Sequence, residues 1–205
     1  MRAGVERMLG SGREARDDAW RNVAQSQKGD VVAGKRWLKK VRFDHHVWTV
    51  VLDQYTVSTG KSSATYTRLR ALYEPGQPFR FKMYRENVLA RIGKFLGMQD
   101  VQTGDPLLDR DYIVRTDNES MIRSLVAGSR IGELLVGQRT GKLETASFRG
   151  RRKPRPERAA ELRWQTGGVV KDPERLRQLV ELFRETLDRM AKIGAAREVR
   201  VPYEL

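Results

Sequence analysis

Alternating polar and apolar positions predict three or four antiparallel strands in the first half of the chain. Residues 45–58 carry apolar side chains at both alternating sets of positions, as a strand covered on both faces does. Residues 64–73 and 79–84 alternate with period two, which is typical of strands with one wetter face. Pro75 and Gly76 predict a turn between these two strands.

Apolar residues at three- and four-residue steps predict helices over residues 13–26 and 173–193. The second helix has a favourable N-cap in Asp172 and a proline, Pro173, at its first position. Shorter helices are predicted over 88–98, 118–126 and 129–137, and further strands over 111–116, 142–148 and 161–165. This order predicts an α+β fold: an antiparallel sheet, with a meander of three to four strands plus later strands, packed by helices that include a long C-terminal one.

Length and composition favour a single α+β domain over residues 1–205. A chain of 205 residues with 39% hydrophobic residues can bury a stable core. The chain has no apolar run long enough to predict a membrane span, and its N-terminal residues build no apolar signal core, so we expect a cytoplasmic protein. The absence of cysteine excludes disulfides, thiol nucleophiles and thiolate metal ligands.

The charge balance is strongly basic. Forty basic and 26 acidic residues give a formal net charge of +14, and the isoelectric point is near 10.4. A field of this sign attracts polyanions such as nucleic acid, acidic lipid surfaces or an acidic protein. The alternative is that arginine is simply the preferred surface cation here, and the sequence leaves both interpretations open.

One short motif resembles a nucleotide-binding loop. Gly60-Lys61-Ser62 matches the end of the phosphate-binding loop, but Tyr55 stands where the motif needs its first glycine. A strand pattern follows where a helix should begin, so no helix N-terminus would direct its amides at a phosphate. We therefore predict a tight hairpin turn over residues 58–63, with Gly60 at positive φ.

The two histidines, His45 and His46, are adjacent in a predicted strand. Neighbouring strand residues point to opposite faces, so the pair is not expected to ligate one metal ion. We predict neither a metal site nor a cofactor.

If the protein is an enzyme, its acid–base or Mg²⁺-binding groups are expected in the aspartate-rich stretch over residues 100–117. The carboxylates are Asp100, Asp105, Asp109, Asp111 and Asp117. The stretch lacks calcium-loop spacing, and we favour loop caps and partners for nearby arginines. The sequence accordingly favours a protein that is not an enzyme.

Residues 149–158, RGRRKPRPER, form the most basic segment of the chain. Its two prolines disfavour regular structure, so we predict an exposed basic loop. Such a loop can bind phosphates as point charges, with salt-sensitive affinity; the alternative is a solvated loop with no partner. The candidate polyanion-binding residues are Arg149, Arg151, Arg152, Lys153 and Arg155.

A second basic feature is the wetter face of the predicted sheet. Its candidate contacts are Tyr66, Arg68 and Arg70 on one strand and Arg80, Lys82 and Tyr84 on the next. Basic residues interleaved with aromatic ones have the composition of a platform for single-stranded nucleic acid. The alternative is a covered face whose arginines pair with the acidic stretch.

Three segments carry a resemblance to known sequences: LDQYTVSTGKSSATYTRLRALY, FRFKMYRENVLARIGKFLGMQDVQTGDPLLDRDYIVRTDNE and GGVVKDPERLRQLVELFRETLDRMAKIGAA. They are similar to a family of uncharacterised bacterial proteins to which no activity, cofactor or catalytic residue is assigned. The resemblance implies a bacterial, soluble and compact protein, and no mechanism.

The leading hypothesis is a non-enzymatic binding domain that engages an acidic protein or nucleic acid through its basic surface. The first alternative is a protein-interaction or self-assembly module whose charge is incidental, which leaves a homo-oligomer open. The second alternative is an enzyme that uses the aspartates of residues 100–117.

Overall fold

The computed structural model describes residues 2–33, 38–58, 60, 62–85, 98–147 and 159–201. Its helices are α1 (Arg2–Ser26), α2 (Pro106–Asp111), α3 (Glu119–Val126), α4 (Ile131–Gly137) and α5 (Pro173–Lys192). Its strands are β1 (Asp30–Ala33), β2 (Leu38–His45), β3 (Trp48–Ser58), β4 (Ser63–Pro75), β5 (Phe81–Tyr84), β6 (Gln99–Asp100), β7 (Ile113–Thr116), β8 (Lys142–Ser147), β9 (Ala160–Gly167) and β10 (Ala196–Arg197). The predicted α+β fold, with an antiparallel sheet and a long C-terminal helix, is confirmed. That the chain is a single domain stays a prediction.

The strands form one antiparallel sheet in the order β1-β2-β3-β4-β9-β8-β5-β7-β6, and β10 pairs with the end of β4. The sequence analysis placed β4 and β5 side by side, and this was wrong. β4 ends at Pro75, opposite Ala196 of β10, and β5 does not return beside it. Strands β9 and β8, which come much later in the chain, lie between β4 and β5 instead.

One face of the sheet is apolar and forms the core with the helices. Directly opposite residues of antiparallel strands point to the same face. The apolar row across the sheet consists of Leu52, Leu69, Trp164, Leu143, Met83 and Val114. All of these side chains are buried in one cluster with the apolar residues of α5, including Leu179, Phe183 and Leu187. Trp20 of α1 adds a hydrogen bond from its indole N–H to the Val170 carbonyl.

Local sequence signals were reliable where they were recognised. Asp172 caps α5 by accepting hydrogen bonds from the Glu174 and Arg175 amides, as predicted. The predicted hairpin is also present: Ser58 of β3 lies opposite Ser63 of β4, and Gly60 has φ +82°.

Five of these elements were not predicted: β1, β2, β6, β10 and α2. In addition, the predicted strand over 45–58 is interrupted, because β2 ends at His45, residues 46 and 47 form a turn, and β3 begins at Trp48. The predicted helix over 88–98 lies, except for Met98, outside the described residues, as does the basic segment 149–158.

Candidate binding surface: the charged face of the sheet

The sheet face opposite the apolar one carries a cross-strand row of mainly charged side chains, and we call it the charged face. From β2 to β6 the row runs through Arg42, Val51, Arg70, Arg163, Glu144, Lys82, Arg115 and Asp100. Each of these residues lies directly opposite the next, so the side chains follow one another across the sheet at the spacing of the strands.

Eight residues of this face form a connected set of ion pairs, which we call the charged network. They are Asp53, Arg68, Arg70, Lys82, Lys142, Glu144, Glu161 and Arg163. Within the described residues, the network therefore combines five cations with three carboxylates. Its members come from β3, β4, β5, β8 and β9, so the sheet itself fixes their positions.

Asp53 is the carboxylate at one end of the network. Arg68 donates to it from two nitrogens, Nε to Oδ1 and NH2 to Oδ2, both at 2.9 Å. Arg70 donates to the same Oδ2 at 2.6 Å. One carboxylate thus serves two guanidinium groups.

Glu144 is buried at the other end and contacts three cations. Arg163 donates to it through Nε at 3.0 Å, Lys142 Nζ lies 2.8 Å away, and Lys82 Nζ lies 3.5 Å away. Burial alone would raise the pKa of Glu144, but Lys142 and Arg163 outweigh burial and hold that pKa below its ordinary value. Burial also lowers the pKa of Lys82 to about 8, because the Glu144 carboxylate only partly offsets the loss of water.

Glu161 lies between these two ends and is the least well compensated carboxylate of the network. Its nearest nitrogens are Arg163 NH1 at 3.7 Å and Arg70 NH1 at 3.9 Å. Within the described residues, its buried Oε1 has no hydrogen-bond partner. Burial raises the pKa of the Glu161 carboxyl, and the neighbouring arginines do not cancel this effect.

Two tyrosines extend the charged face along the β3–β4 hairpin. Tyr55 and Tyr66 lie directly opposite each other, and their rings stack with centroids 5.2 Å apart. The Arg68 guanidinium carbon lies 4.3 Å from the centroid of the Tyr55 ring. An aromatic pair therefore continues the cationic surface without a break.

The six predicted sheet-face residues have different environments. Tyr66, Arg68 and Arg70 of β4 and Lys82 and Tyr84 of β5 do point to the charged face. However, Lys82 is only 2% exposed and Tyr84 is fully buried, so neither is available to stack on or contact a base. Arg80 precedes β5 and pairs with Asp117 at 2.8 Å, away from the network. Strands β4 and β5 are not adjacent, and Lys82 and Tyr84 are not exposed, so these parts of the predicted platform were wrong. Contact of Tyr66, Arg68 and Arg70 with nucleic acid stays a prediction.

The carboxylates of residues 100–117 act locally as caps and ion-pair partners. Asp105 caps α2, and Asp109 accepts hydrogen bonds from the amides of Thr103 and Gly104. The remaining pairs are Asp100 with Arg115, Asp111 with Arg110 and Arg85, and Asp117 with Arg80. Arg110 holds the pKa of the Asp111 carboxyl below its ordinary value, the opposite of what a general acid needs.

The five candidate residues of the basic segment, Arg149, Arg151, Arg152, Lys153 and Arg155, lie outside the described residues. Their role in polyanion binding stays a prediction.

The structure corrects the sequence analysis at His45 and His46. Because His46 lies in the β2–β3 turn with φ +52°, the two rings do not point apart but lie with centroids 4.3 Å apart. Nε2 of His45 is 2.7 Å and Nε2 of His46 is 3.5 Å from the same oxygen of Asp188 on α5. Burial lowers the pKa of His45, although Asp188 opposes the shift.

The fold and this surface define an α+β protein with a charged sheet face. No family model and no curated protein matches the chain. Among solved structures, the chain is similar to the crystal structure of the mycobacterial trehalose monomycolate transport factor A, with a TM-score of 0.50 and 12% sequence identity. The match covers 94% of this chain and 99% of that chain, and at this identity it shows a shared fold alone.

The similarity to uncharacterised bacterial proteins inferred from the sequence stays a prediction. Within the described parts of the chain, each helix is too short or too polar to cross a bilayer.

Proposed function

We propose that this chain is a cytoplasmic, non-enzymatic binding protein that engages a polyanionic partner, nucleic acid or an acidic protein, through its basic surface. The observation that carries the proposal is the composition of the charged network, in which five cations share three carboxylates. The excess of cations among the described residues is held in place by neighbouring strands. An incoming phosphate or carboxylate can therefore bind without the cost of ordering flexible side chains.

Access to the network is through its partly exposed cations. Arg163 is 27% exposed at its side chain, and Arg68 and Lys142 are exposed to a similar extent. The buried Glu144 carboxylate holds Arg163 and Lys142, and Asp53 holds Arg68. Tyr55 and Tyr66 add stacking surface beside Arg68, which suits single-stranded nucleic acid better than a carboxylate-rich protein.

The whole-chain charge and the structural neighbour agree with this proposal. A net charge of +14 attracts any polyanion at long range, and the basic segment 149–158 adds a second group of cations. The structural neighbour is named as a transport factor, a name that is compatible with an accessory role for this chain.

The test is binding of a fluorescent, mixed-sequence single-stranded nucleic acid at several salt concentrations, with heparin as competitor. We expect affinity to fall steeply with salt, and the slope gives the number of phosphates that the protein neutralises. If heparin competes no better than its charge predicts, the surface is assigned to nucleic acid. Absence of binding at low salt, together with salt-resistant self-association in sedimentation, would overturn the proposal in favour of a self-assembly module.

Two variants of equal net charge distinguish binding by the basic segment from attraction by the net charge of the whole protein. The first replaces all five candidate residues with glutamine: Arg149, Arg151, Arg152, Lys153 and Arg155. The control replaces five exposed arginines from other parts of the chain: Arg21, Arg123, Arg130, Arg177 and Arg197. We expect the first variant to lose more affinity and more salt dependence than the control. Equal losses would show that only the net charge matters.

A further inference from the structure

We propose that His45, His46 and Asp188 form a binding site for one divalent transition-metal ion of the Zn²⁺ class. One ligand atom from each of the three residues lies within 4.8 Å of the other two. Two imidazole nitrogens and one carboxylate oxygen are the ligands that Zn²⁺ prefers outside thiolate sites. The inference is independent of the proposed polyanion-binding function.

The fold brings the three residues together from two elements that are far apart in the sequence. His45 ends β2, opposite Trp48 at the start of β3, and so points to the helix-covered face of the sheet. His46 occupies the first position of the two-residue turn that follows. Asp188 lies on α5 next to this turn, with its carboxylate oxygen between the two imidazoles.

The distances suit a shared ion. Asp188 Oδ1 lies 2.7 Å from Nε2 of His45 and 3.5 Å from Nε2 of His46. Metal–ligand bonds of about 2.0–2.2 Å require ligand atoms to lie roughly 3–3.5 Å apart, so small side-chain rotations are sufficient. His46 is 63% exposed and Asp188 is 44% exposed, which gives an ion a path from solvent and leaves room for water ligands.

The backbone of His46 is a second feature of the site. Its φ of +52° lies in the left-handed region, where glycine or asparagine is the usual residue. Histidine is one of the few non-glycine residues enriched in this conformation, so the turn accommodates His46. Only this conformation carries the His46 ring back beside His45, because the next residue of a continued strand would point to the opposite face.

Arg184 is a built-in competitor of the metal ion. It lies one helical turn before Asp188, and its Nε–H donates to Nδ1 of His45 at 3.0 Å. Neutral His45 therefore carries its proton on Nε2 and donates it to Asp188. A metal ion that binds Nε2 takes over the electron pair of that N–H bond, and the proton moves to Nδ1. The Arg184 N–H must then move away, and its positive charge opposes the ion as well.

The test is titration of the untagged, chelator-treated protein with Zn²⁺ by calorimetry, and with Co²⁺ by visible absorption. We expect one equivalent to bind and the Co²⁺ bands to report nitrogen and oxygen ligands. His46→Gly and Asp188→Asn should each weaken binding at least tenfold. His46→Gly suits the turn conformation, so its loss of binding does not reflect unfolding, which circular dichroism checks.

Arg184→Met is the more specific test, because its effect on Zn²⁺ binding is not expected if the three residues form only a structural cluster. Removal of the competing N–H and its charge should tighten Zn²⁺ binding by about tenfold. Weaker binding in Arg184→Met would contradict the arrangement. No binding by the wild type, or equal binding by the wild type, His46→Gly and Asp188→Asn, would overturn the site altogether.

Discussion

Asp53 on β3 and Arg68 on β4 lie directly opposite each other and form a two-point ion pair, with both nitrogen–oxygen distances at 2.9 Å. The same carboxylate also accepts a hydrogen bond from Arg70 at 2.6 Å. Stability and positive potential therefore depend on one residue in opposite ways: the Asp53 carboxylate holds two arginines in place and partly cancels their charge.

The first prediction is that Asp53→Asn destabilises the protein while strengthening polyanion binding. The two guanidinium groups lose their shared counter-ion in a largely buried setting, which should lower the free energy of unfolding by about 3 kcal/mol. The same change removes the closest counter-ion of both arginines, so affinity for single-stranded nucleic acid should increase several-fold. Urea unfolding measures the first effect, and the salt-dependent binding assay measures the second.

Asp18→Asn is the matched control for Asp53→Asn. It removes the same charge, but Asp18 is exposed on α1 and contacts only the exposed Arg21 among the pairs in the described residues. Exposed ion pairs of this kind contribute about 0–1 kcal/mol, so stability should hardly change. If both variants gain equal affinity, the binding surface is not the charged network.

The second prediction concerns Lys82, whose pKa is lowered by burial to about 8 from an ordinary value of 10.5. Between these two values the unfolded chain binds more protons than the folded one, so this group makes the protein more stable as the pH rises from 8 towards 10. Below pH 8 the buried ammonium keeps its full desolvation cost. Lys82→Met lacks the titration and keeps the side-chain volume.

Urea unfolding of wild type and Lys82→Met at pH 7, 8, 9 and 10 checks this prediction. The difference in the free energy of unfolding should change with pH in favour of the wild type above pH 8. Two parallel curves would show that Lys82 titrates at its ordinary pKa in the folded protein. The comparison is best ended near pH 10, where tyrosines of the unfolded chain are about half ionised.

Local capping signals were the most predictive part of the sequence. Asp172 followed by Pro173 located the start of α5 to the residue. The same pair occurs as Asp105 and Pro106 at the start of α2, but that helix has only six residues and too few apolar positions to show a period. Short elements are therefore missed in the prediction from sequence even when their capping residues are favourable.

Strand pairing was not predictable, and the site depends on it. Arg68 and Arg70 were predicted to face the wetter side, and they do. Their partners could not be found from local pattern, because β4 pairs with β9 across about a hundred residues. Glu144 and Glu161 alternate with buried leucines, which indicates their face but not their neighbours. The turn at His46 was missed because positive φ is uncommon for any residue other than glycine, and no glycine marks this turn.

The third prediction is that Gly141→Ala costs far more stability than Gly60→Ala. Both glycines have positive φ, +125° at Gly141 and +82° at Gly60. A Cβ at Gly141 would lie 2.8 Å from the Trp164 ring, which is fully buried in the core and cannot move aside. Backbone strain and overpacking together should lower the free energy of unfolding by about 3 kcal/mol or more.

Gly60→Ala isolates the backbone contribution in this comparison. A Cβ at Gly60 has no neighbouring atom within 4 Å, so only the left-handed conformation is penalised, by about 1 kcal/mol. Thermal or urea unfolding of the two variants gives the result directly. Equal losses would mean that Trp164 does not pack against the turn as described.

The last prediction separates binding from stability at Glu161. Its charge is poorly compensated: burial raises the pKa of the carboxyl, and its nearest nitrogens are 3.7 and 3.9 Å away. Glu161→Gln therefore removes a charge that the fold hardly uses, and the free energy of unfolding should change by less than about 1 kcal/mol. Affinity for nucleic acid should still rise, because the arginines on both sides lose a competing anion.

The pH dependence of binding provides the check on Glu161. In the wild type, lowering the pH towards 5 begins to protonate a carboxyl with a raised pKa, so polyanion affinity should increase. In Glu161→Gln this increase should be smaller, since the variant has no carboxyl to protonate at this position. Fluorescence anisotropy at pH 5, 6 and 7 and constant salt measures both proteins. Identical pH profiles would mean that the bound polyanion does not sense Glu161, and the charged network would lose its place as the binding surface.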